Sequence, residues 1–415
     1  MKPNTPKTES RPKYLTSTML VPQYVTQFHC LGNECPDTCC SAWSINIDKD
    51  TFQQYRRIMQ PELKPLIKEY LVQLDKNSYS KHAKIGLRKE DAHCGLHSKE
   101  GMCMVQQHLG EDSLSDTCYI YPRSVVQFGD RLQQSLTLSC PEAARLALTS
   151  ADPFAFTNAE FTTRLATTVV ITPARGFTVE AMDEAYIFLI QLFQTPELSN
   201  TERLVTAGWL CQQLDTLAAT GNQGDVATLL SEMRTLVEGG SVQSIVSQLS
   251  KQQEVSITLF ALLFATNTPI GQSSTQLDVL ERVRTGLGIG SDMDWAKVTE
   301  NYARGSQLLQ ATDSAYTRLV SHYLLNDVIR ETFPWSQETA LKHYRRLITR
   351  YGILRLMLSG MAAAQDRAPD EADMVRAIYV FCRLYQHNIR FATQAENLLA
   401  QSNWTELDRL YALLN

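Results

Sequence analysis

Eight of the ten cysteines lie in the first 140 of 415 residues. Cys30, Cys35, Cys39 and Cys40 fall within eleven residues, spaced C-x4-C-x3-C-C, and Cys94, Cys103, Cys118 and Cys140 follow. A thiolate is both a nucleophile and a soft metal ligand, so such crowding points to a local chemical purpose. Cys211 and Cys382, the two in the remaining 275 residues, sit inside apolar helical patterns and read as small buried hydrophobes.

On the residues alone three chemistries stay open: an iron–sulfur cluster, zinc, or redox thiols. The first block is not the radical-SAM spacing C-x3-C-x2-C, because Ala42 stands where the third cysteine should be. Two separated C-x2-C knuckles of a zinc ribbon are also missing. Adjacent Cys39 and Cys40 would project in different directions in extended backbone, which sets them against ligating one metal atom together. Iron–sulfur clusters take four thiolates, and the first block cannot aim four at one point without backbone strain. Cys35 and Cys39 are therefore expected to share a site with at least one of Cys94, Cys103 and Cys118. His93, His97 and His108 surround the second block and read as exposed polar residues more readily than as ligands.

Glycine and helix signals supply the elements that position these thiols. Pro36 and Asp37 make a turn inside the first block. Asp48 or Asp50 is placed to cap a helix over 51–59, and a second helix is expected over 61–74. A short helix over 102–109 follows, then a hairpin over 125–139 with Gly129-Asp130 at its turn. Pro141 and Glu142 start a helix and put Cys140 at its N-terminus, where the dipole favours a thiolate. Residues 1–20 read as a loose lead-in.

Beyond residue 150 the periodicity is helical, with candidates over 179–194, 201–219, 225–238, 241–266, 276–285, 295–311, 313–330, 337–364, 370–393 and 395–414. Strand signal there is confined to 167–173. The fold class is mainly α: a cysteine-rich N-terminal metal-binding region with little strand over 1–150, then an irregular multi-helix domain over 151–415. The glycine-rich 286–290 follows a helical pattern rather than a strand, so it reads as a helix connection and not a nucleotide loop. Lys342, Arg345, Arg346, Arg350 and Arg355 read as a solvated basic face.

A net charge of −5 gives no general reason to bind nucleic acid or an anionic membrane. The N-terminal stretch has no apolar segment of a secretory leader, and the longest apolar run, 255–265, is too short to span a bilayer. A cytoplasmic protein is expected, where disulfides are disfavoured and clustered thiols bind metal or do redox chemistry.

Three stretches, FHCLGNECPDTCCSAWSINID, then HC…GMC…LGEDSLSDTCYIYPR, then LSCPEAARLAL, resemble the flagellin lysine N-methylase (FliB) family. YLLNDVIRETFPW, LRLMLSGMAA and YQHNIRF in the C-terminal third agree. The resemblance covers nearly the whole chain. It implies a protein-lysine N-methyltransferase that moves methyl groups from S-adenosylmethionine (SAM) to lysines of flagellin and carries a [4Fe-4S] cluster. The eight N-terminal cysteines match the family's positions and are implied as metal ligands. They outnumber the ligands of one cluster, so some serve structure or a second site. The family's YPR matches Tyr121, Pro122 and Arg123, and Tyr121 and Arg123 are expected to bind the cofactor. Arg123, beside Cys118, is suited to grip the SAM carboxylate with two hydrogen bonds; a salt bridge to Asp116 or Glu142 is the competing reading. No residue stands out as the base. A non-enzymatic zinc- or iron-binding redox or adaptor protein is the alternative function.

Overall fold

The computed structural model describes residues 14–41, 43, 45–249, 253–266, 273–311 and 315–414. Residues 1–13 of the expected lead-in and Ala42 lie outside them. From Tyr14 the lead-in is not loose: Tyr14–Pro22 is a nine-residue strand, β1. It pairs antiparallel with β7 (Phe156–Arg164) from Tyr14↔Arg164 to Pro22↔Phe156, and parallel with β6 (Arg131–Leu136) at Leu20↔Gln133. β5 (Arg123–Phe128) and β6 form the expected hairpin, turning at Gly129 with φ +53°. β8 (Thr168–Ile171) adds parallel to β5, giving the order β7-β1-β6-β5-β8. A second sheet, β2-β4-β3, joins Ile45–Ile47, Ala83–Ile85 and Leu71–Gln73. Strand content thus exceeds the expectation, while helix dominates.

The first helices are short: α1 (Gln23–Thr26), α2 (Lys49–Arg56), α3 (Leu63–Tyr70), α4 (Met104–Leu109), α5 (Asp116–Ile120) and α6 (Pro141–Thr149). Asp48 caps α2, accepting from the Thr51 amide at 2.9 Å and the Thr51 hydroxyl at 2.7 Å. The same carboxylate accepts from the Asp116 amide at 3.3 Å, which ties α5 to α2.

The helical body comprises α7 (Val179–Gln194), α8 (Asn200–Thr220), α9 (Val226–Glu238), α10 (Ser241–Gln248), α11 (Gln253–Thr266), α12 (Ser274–Leu287), α13 (Trp295–Ala311), α14 (Ala315–Arg330), α15 (Ala340–Gln365), α16 (Glu371–Phe381), α17 (Ile389–Gln401) and α18 (Leu407–Ala412). The helix expected over 241–266 is two, and residues 250–252 between them lie outside the described ones. Most of α15 is buried, and α8, α11, α12 and α13 pack around it. Gly286 and Gly305 permit that packing: a Cβ on either would stand 1.9 Å from the Gly360 or Ser359 carbonyl oxygen of α15. The glycine-rich 286–290 is accordingly a helix end, with Gly288 as left-handed C-cap.

The helix expected over 370–393 breaks. After Phe381 the chain makes a π-helical turn, Cys382–Gln386, and Asn388 caps α17 by accepting from the Phe391 amide. The expected basic face is also corrected. Arg350 is buried against Asp327 at 3.2 Å, Arg345 meets Glu396, Lys342 meets Glu338, and Arg355 donates to the Leu414 carbonyl. Arg350, Arg345 and Arg355 thus tie α15 to other parts of the chain rather than facing water, while Lys342 pairs at the surface with Glu338 one turn before it.

Burial divides into two clusters. The larger joins the five-stranded sheet to the helical body, with Cys211 and Cys382 fully buried in it. The smaller lies under the three-stranded sheet around Ile45, Ile47, Phe52, Tyr55, Leu63 and Ile85, with Cys94 inside it and Cys40, Cys103 and Cys118 packed against it. The thiol-rich region therefore has an apolar support of its own.

Candidate functional site

Seven of the eight N-terminal cysteines line one cavity of about 140 Å³: Cys30, Cys35, Cys39, Cys40, Cys103, Cys118 and Cys140. Both blocks meet there, Cys35 and Cys39 facing the same space as Cys103 and Cys118. Cys94 is not on the wall. It is buried behind it, its amide donating to the Cys40 carbonyl at 2.7 Å and its sulfur accepting from the Leu96 amide at 3.4 Å. Cys103 precedes α4, Cys118 lies in α5, and Cys140 is the N-cap residue of α6. Three short helices thus each carry one thiol to the wall.

The first block bends where extended chain was expected. The Cys40 amide donates to the Thr38 hydroxyl at 3.1 Å, a local turn that competes with regular structure. Cys39 and Cys40 therefore point to the same space, and the Cys40 thiol bonds to Cys39. That bond lowers the Cys39 thiol against burial, with the Arg383 cation helping, while Cys40 is raised. Burial pushes up Cys35, Cys103 and Cys118, and pushes Cys94 and Cys140 up to about 12. The helix start beneath Cys140 does not outweigh its desolvation: the amides of Ala143 and Glu142 work in the thiolate's favour and lose to burial.

The histidines divide. His97 is buried and stacks on His93 with centroids 5.1 Å apart, whereas His108 is exposed. His97 also lines the cavity, its Nε2 3.4 Å from the Thr38 hydroxyl.

Tyr121 and Arg123 line the same cavity. Arg123 lies over the Phe28 ring at 5.7 Å and donates to the Tyr119 carbonyl at 3.5 Å. The acids considered as its partners are engaged elsewhere: Asp116 with Arg164 at 3.0 Å, Glu142 with Arg145 at 2.7 Å. Among the described residues no carboxylate pairs with Arg123.

The residue that the sequence did not bring forward is Arg383. It leaves the π-helical turn and reaches across to the first block. Its Nη2 donates to the Asp37 carbonyl and its Nε to the Ser139 carbonyl, both at 2.7 Å, and its Nη1 lies 2.8 Å from the Asp37 carboxylate. One guanidinium thus fixes the loop bearing Cys35, Cys39 and Cys40 and the turn that presents Cys140. π turns recur at functional sites. Asn388, a helix-capping residue inside an apparently continuous helix, was the available signal.

Soft sulfur donors in this number around one cavity fit a thiolate-held cluster or zinc in their chemistry. Among the described residues no three His, Cys, Asp or Glu side chains are grouped closely enough to hold a metal ion. A larger groove of about 970 Å³ opens between α8, α9, α10 and α18, lined by Trp209, Met233, Ile245 and Trp404. It holds no thiol or histidine, so size alone does not make it the site of this chemistry.

Fold and site together define a mainly helical protein whose C-terminal third, through Arg383, braces the loops of a cysteine-lined cavity built by its N-terminal third. The signature of the FliB lysine N-methylase C-terminal domain matches residues 186–413. The chain belongs to the FliB lysine N-methylase family, whose members are protein-lysine N-methyltransferases. It is 24% identical over 388 residues to the lysine-N-methylase of Salmonella typhimurium, covering 90% of this chain and 93% of the relative. The Salmonella choleraesuis lysine-N-methylase matches to the same extent. The flagellar biosynthetic protein FliU of Salmonella muenchen is 32% identical over 138 residues, 33% of this chain and 81% of that one. No solved structure matches.

Proposed function

We propose that this enzyme transfers methyl groups from S-adenosylmethionine to lysine side chains of flagellin in the cytoplasm, at the cysteine-lined cavity. The observation that carries the placement is Arg123: a guanidinium on the cavity wall with no acidic partner among the described residues. A planar, permanently charged fork of donors suits the carboxylate of an amino-acid cofactor. Family membership supports the lysine target, and the names of the relatives support a flagellar protein. No helix among the described residues is long and apolar enough to cross a membrane.

A [4Fe-4S] cluster held by four of the seven wall cysteines is part of the reading. When bound it would supply fixed charge, and each ligating thiol would bind as thiolate. The chain's own residues do the rest. Arg123 orients the methyl donor, and Arg383 fixes the loop on which three of the thiols stand. Phe28, Trp43 and Tyr119 line the space and keep water from it. Bringing amine and methyl carbon into line within such a pocket accounts for most of what the reaction needs.

Incubating anaerobically purified protein with flagellin and methyl-labelled SAM tests the reading. Methyl-lysine in flagellin is the expected product. Its absence, with full metal content, overturns the proposal.

A further inference from the structure

An ε-amine attacks a methyl carbon only after it has lost its proton, and its unperturbed pKa is about 10.4. Arg123 cannot take that proton, since a guanidinium is always charged. A row of hydroxyls begins at the same wall. The Tyr121 hydroxyl lies 3.2 Å from Ser139 Oγ. Ser139 Oγ lies 3.1 Å from Thr137 Oγ1, which lies 3.1 Å from Nε2 of His387. Ser139 and Thr137 are buried in the turn between β6 and α6. His387, just past the π turn, is exposed. Each hydroxyl has one proton to give and lone pairs to receive, so the row can be aligned in one direction, from Tyr121 to a neutral His387. The charged groups facing His387 are Arg330 and Glu331 at the end of α14 and Arg350 of α15. Glu331 is already engaged by both arginines.

We propose that Tyr121, Ser139 and Thr137 form the path by which the target lysine's proton leaves the cavity, with His387 as acceptor at the solvent end. This rests on the cavity being the methyl-transfer site. The ε-ammonium gives a proton to the Tyr121 oxygen as Tyr121 passes its own to Ser139. Ser139 passes one to Thr137, and Thr137 one to His387 Nε2. The imidazolium then yields its Nδ1 proton to water. One proton leaves, no electrons change hands, and the amine's lone pair is freed for the methyl carbon. Rotation of the hydroxyls, and return of His387 to its Nδ1–H tautomer by exchange with solvent, reset the row. Desolvation of the ring, and after it Arg330 and Arg350, oppose a lasting positive charge on His387, so the proton moves on to solvent.

The test follows methyl transfer to flagellin from about pH 6.5 to about 9.5, approaching the amine's own pKa. It uses anaerobically purified wild type, Thr137→Val, Thr137→Ser, Ser139→Ala and His387→Ala, all at equal iron content. Thr137→Val, Ser139→Ala and His387→Ala are expected to be slower at neutral pH by about tenfold or more, with the gap closing as pH rises. Thr137→Ser, which keeps the hydroxyl, stays near wild type. Added imidazole restores His387→Ala but not Thr137→Val. If Thr137→Val does not fold by circular dichroism, Ser139→Ala and the imidazole arm decide. A slowing that is equal at every pH, or no slowing, overturns the path while leaving the methylase reading intact. No methyl transfer by wild type overturns both.

Discussion

The Arg383 guanidinium and the Asp37 carboxylate stand 2.8 Å apart, 346 residues from one another in the chain, with side chains only 10% and 4% exposed. Asp37 also accepts from the Ser273 hydroxyl at the start of α12. The loop of Cys35 to Cys40 is thereby bolted to the body that defines the family. Removing one partner of a buried pair leaves the other charge uncompensated, at about 3–5 kcal/mol. Arg383→Met should lose about that much in urea unfolding, and Cys39, without the cation that favours its thiolate, should react more slowly with a thiol reagent at neutral pH. Combining it with Asp37→Asn should recover part of the loss. Full additivity in that cycle would mean that the two residues do not act together.

The seven wall thiols carry a prediction about metal. Protein made anaerobically should hold about four irons and about four acid-labile sulfides per cluster. Serine at ligating wall positions should lose them, whereas Cys211→Ser should not, since Cys211 lies fully buried in the helical body. Stoichiometric zinc without sulfide would contradict the cluster.

Arg123→Lys isolates the carboxylate grip. Lysine keeps the charge and loses the fork. The fold and iron content should persist while SAM binding weakens by about 1.5–3 kcal/mol, the scale of a charged hydrogen bond. Calorimetric titration measures it. Unchanged affinity would make Arg123 a wall residue only.

The helical body was legible because its apolar periodicity is local: α7 and α13 fall on the expected residues. β1 and β7 were not, since neither alternates cleanly and their pairing joins residues 14–22 to 156–164. β7 even ends on a fully buried arginine, Arg164, whose terminal nitrogens are held by Asp116 and the carbonyls of Leu114 and Asp112. The basic row of α15 misled for the same reason, the counter-charges of Arg350 and Arg345 lying on α14 and α17. In the site, the convergence of the two cysteine blocks followed from ligand counting. Arg383 and His387 did not, because the one mark of the π turn, the capping residue Asn388, stands inside an otherwise continuous apolar helical pattern.

Asp48 gives the acid-side prediction. Burial works against its charge, but the Thr51 amide and hydroxyl and the Asp116 amide outweigh it, so its pKa is held below the usual carboxylate value. The unfolded state therefore binds the proton more readily than the folded one. The contribution is fully present above the unfolded value of about 3.9 and is lost as pH falls through the lower folded value. Asp48→Ala removes the cap of α2 and its tie to α5, at about 1–2 kcal/mol at neutral pH. Urea midpoints of wild type and variant should therefore differ at pH 7 and converge as the pH is taken below about 3.9. A difference that persists undiminished into acid would show that Asp48 acts by packing and not by its charge.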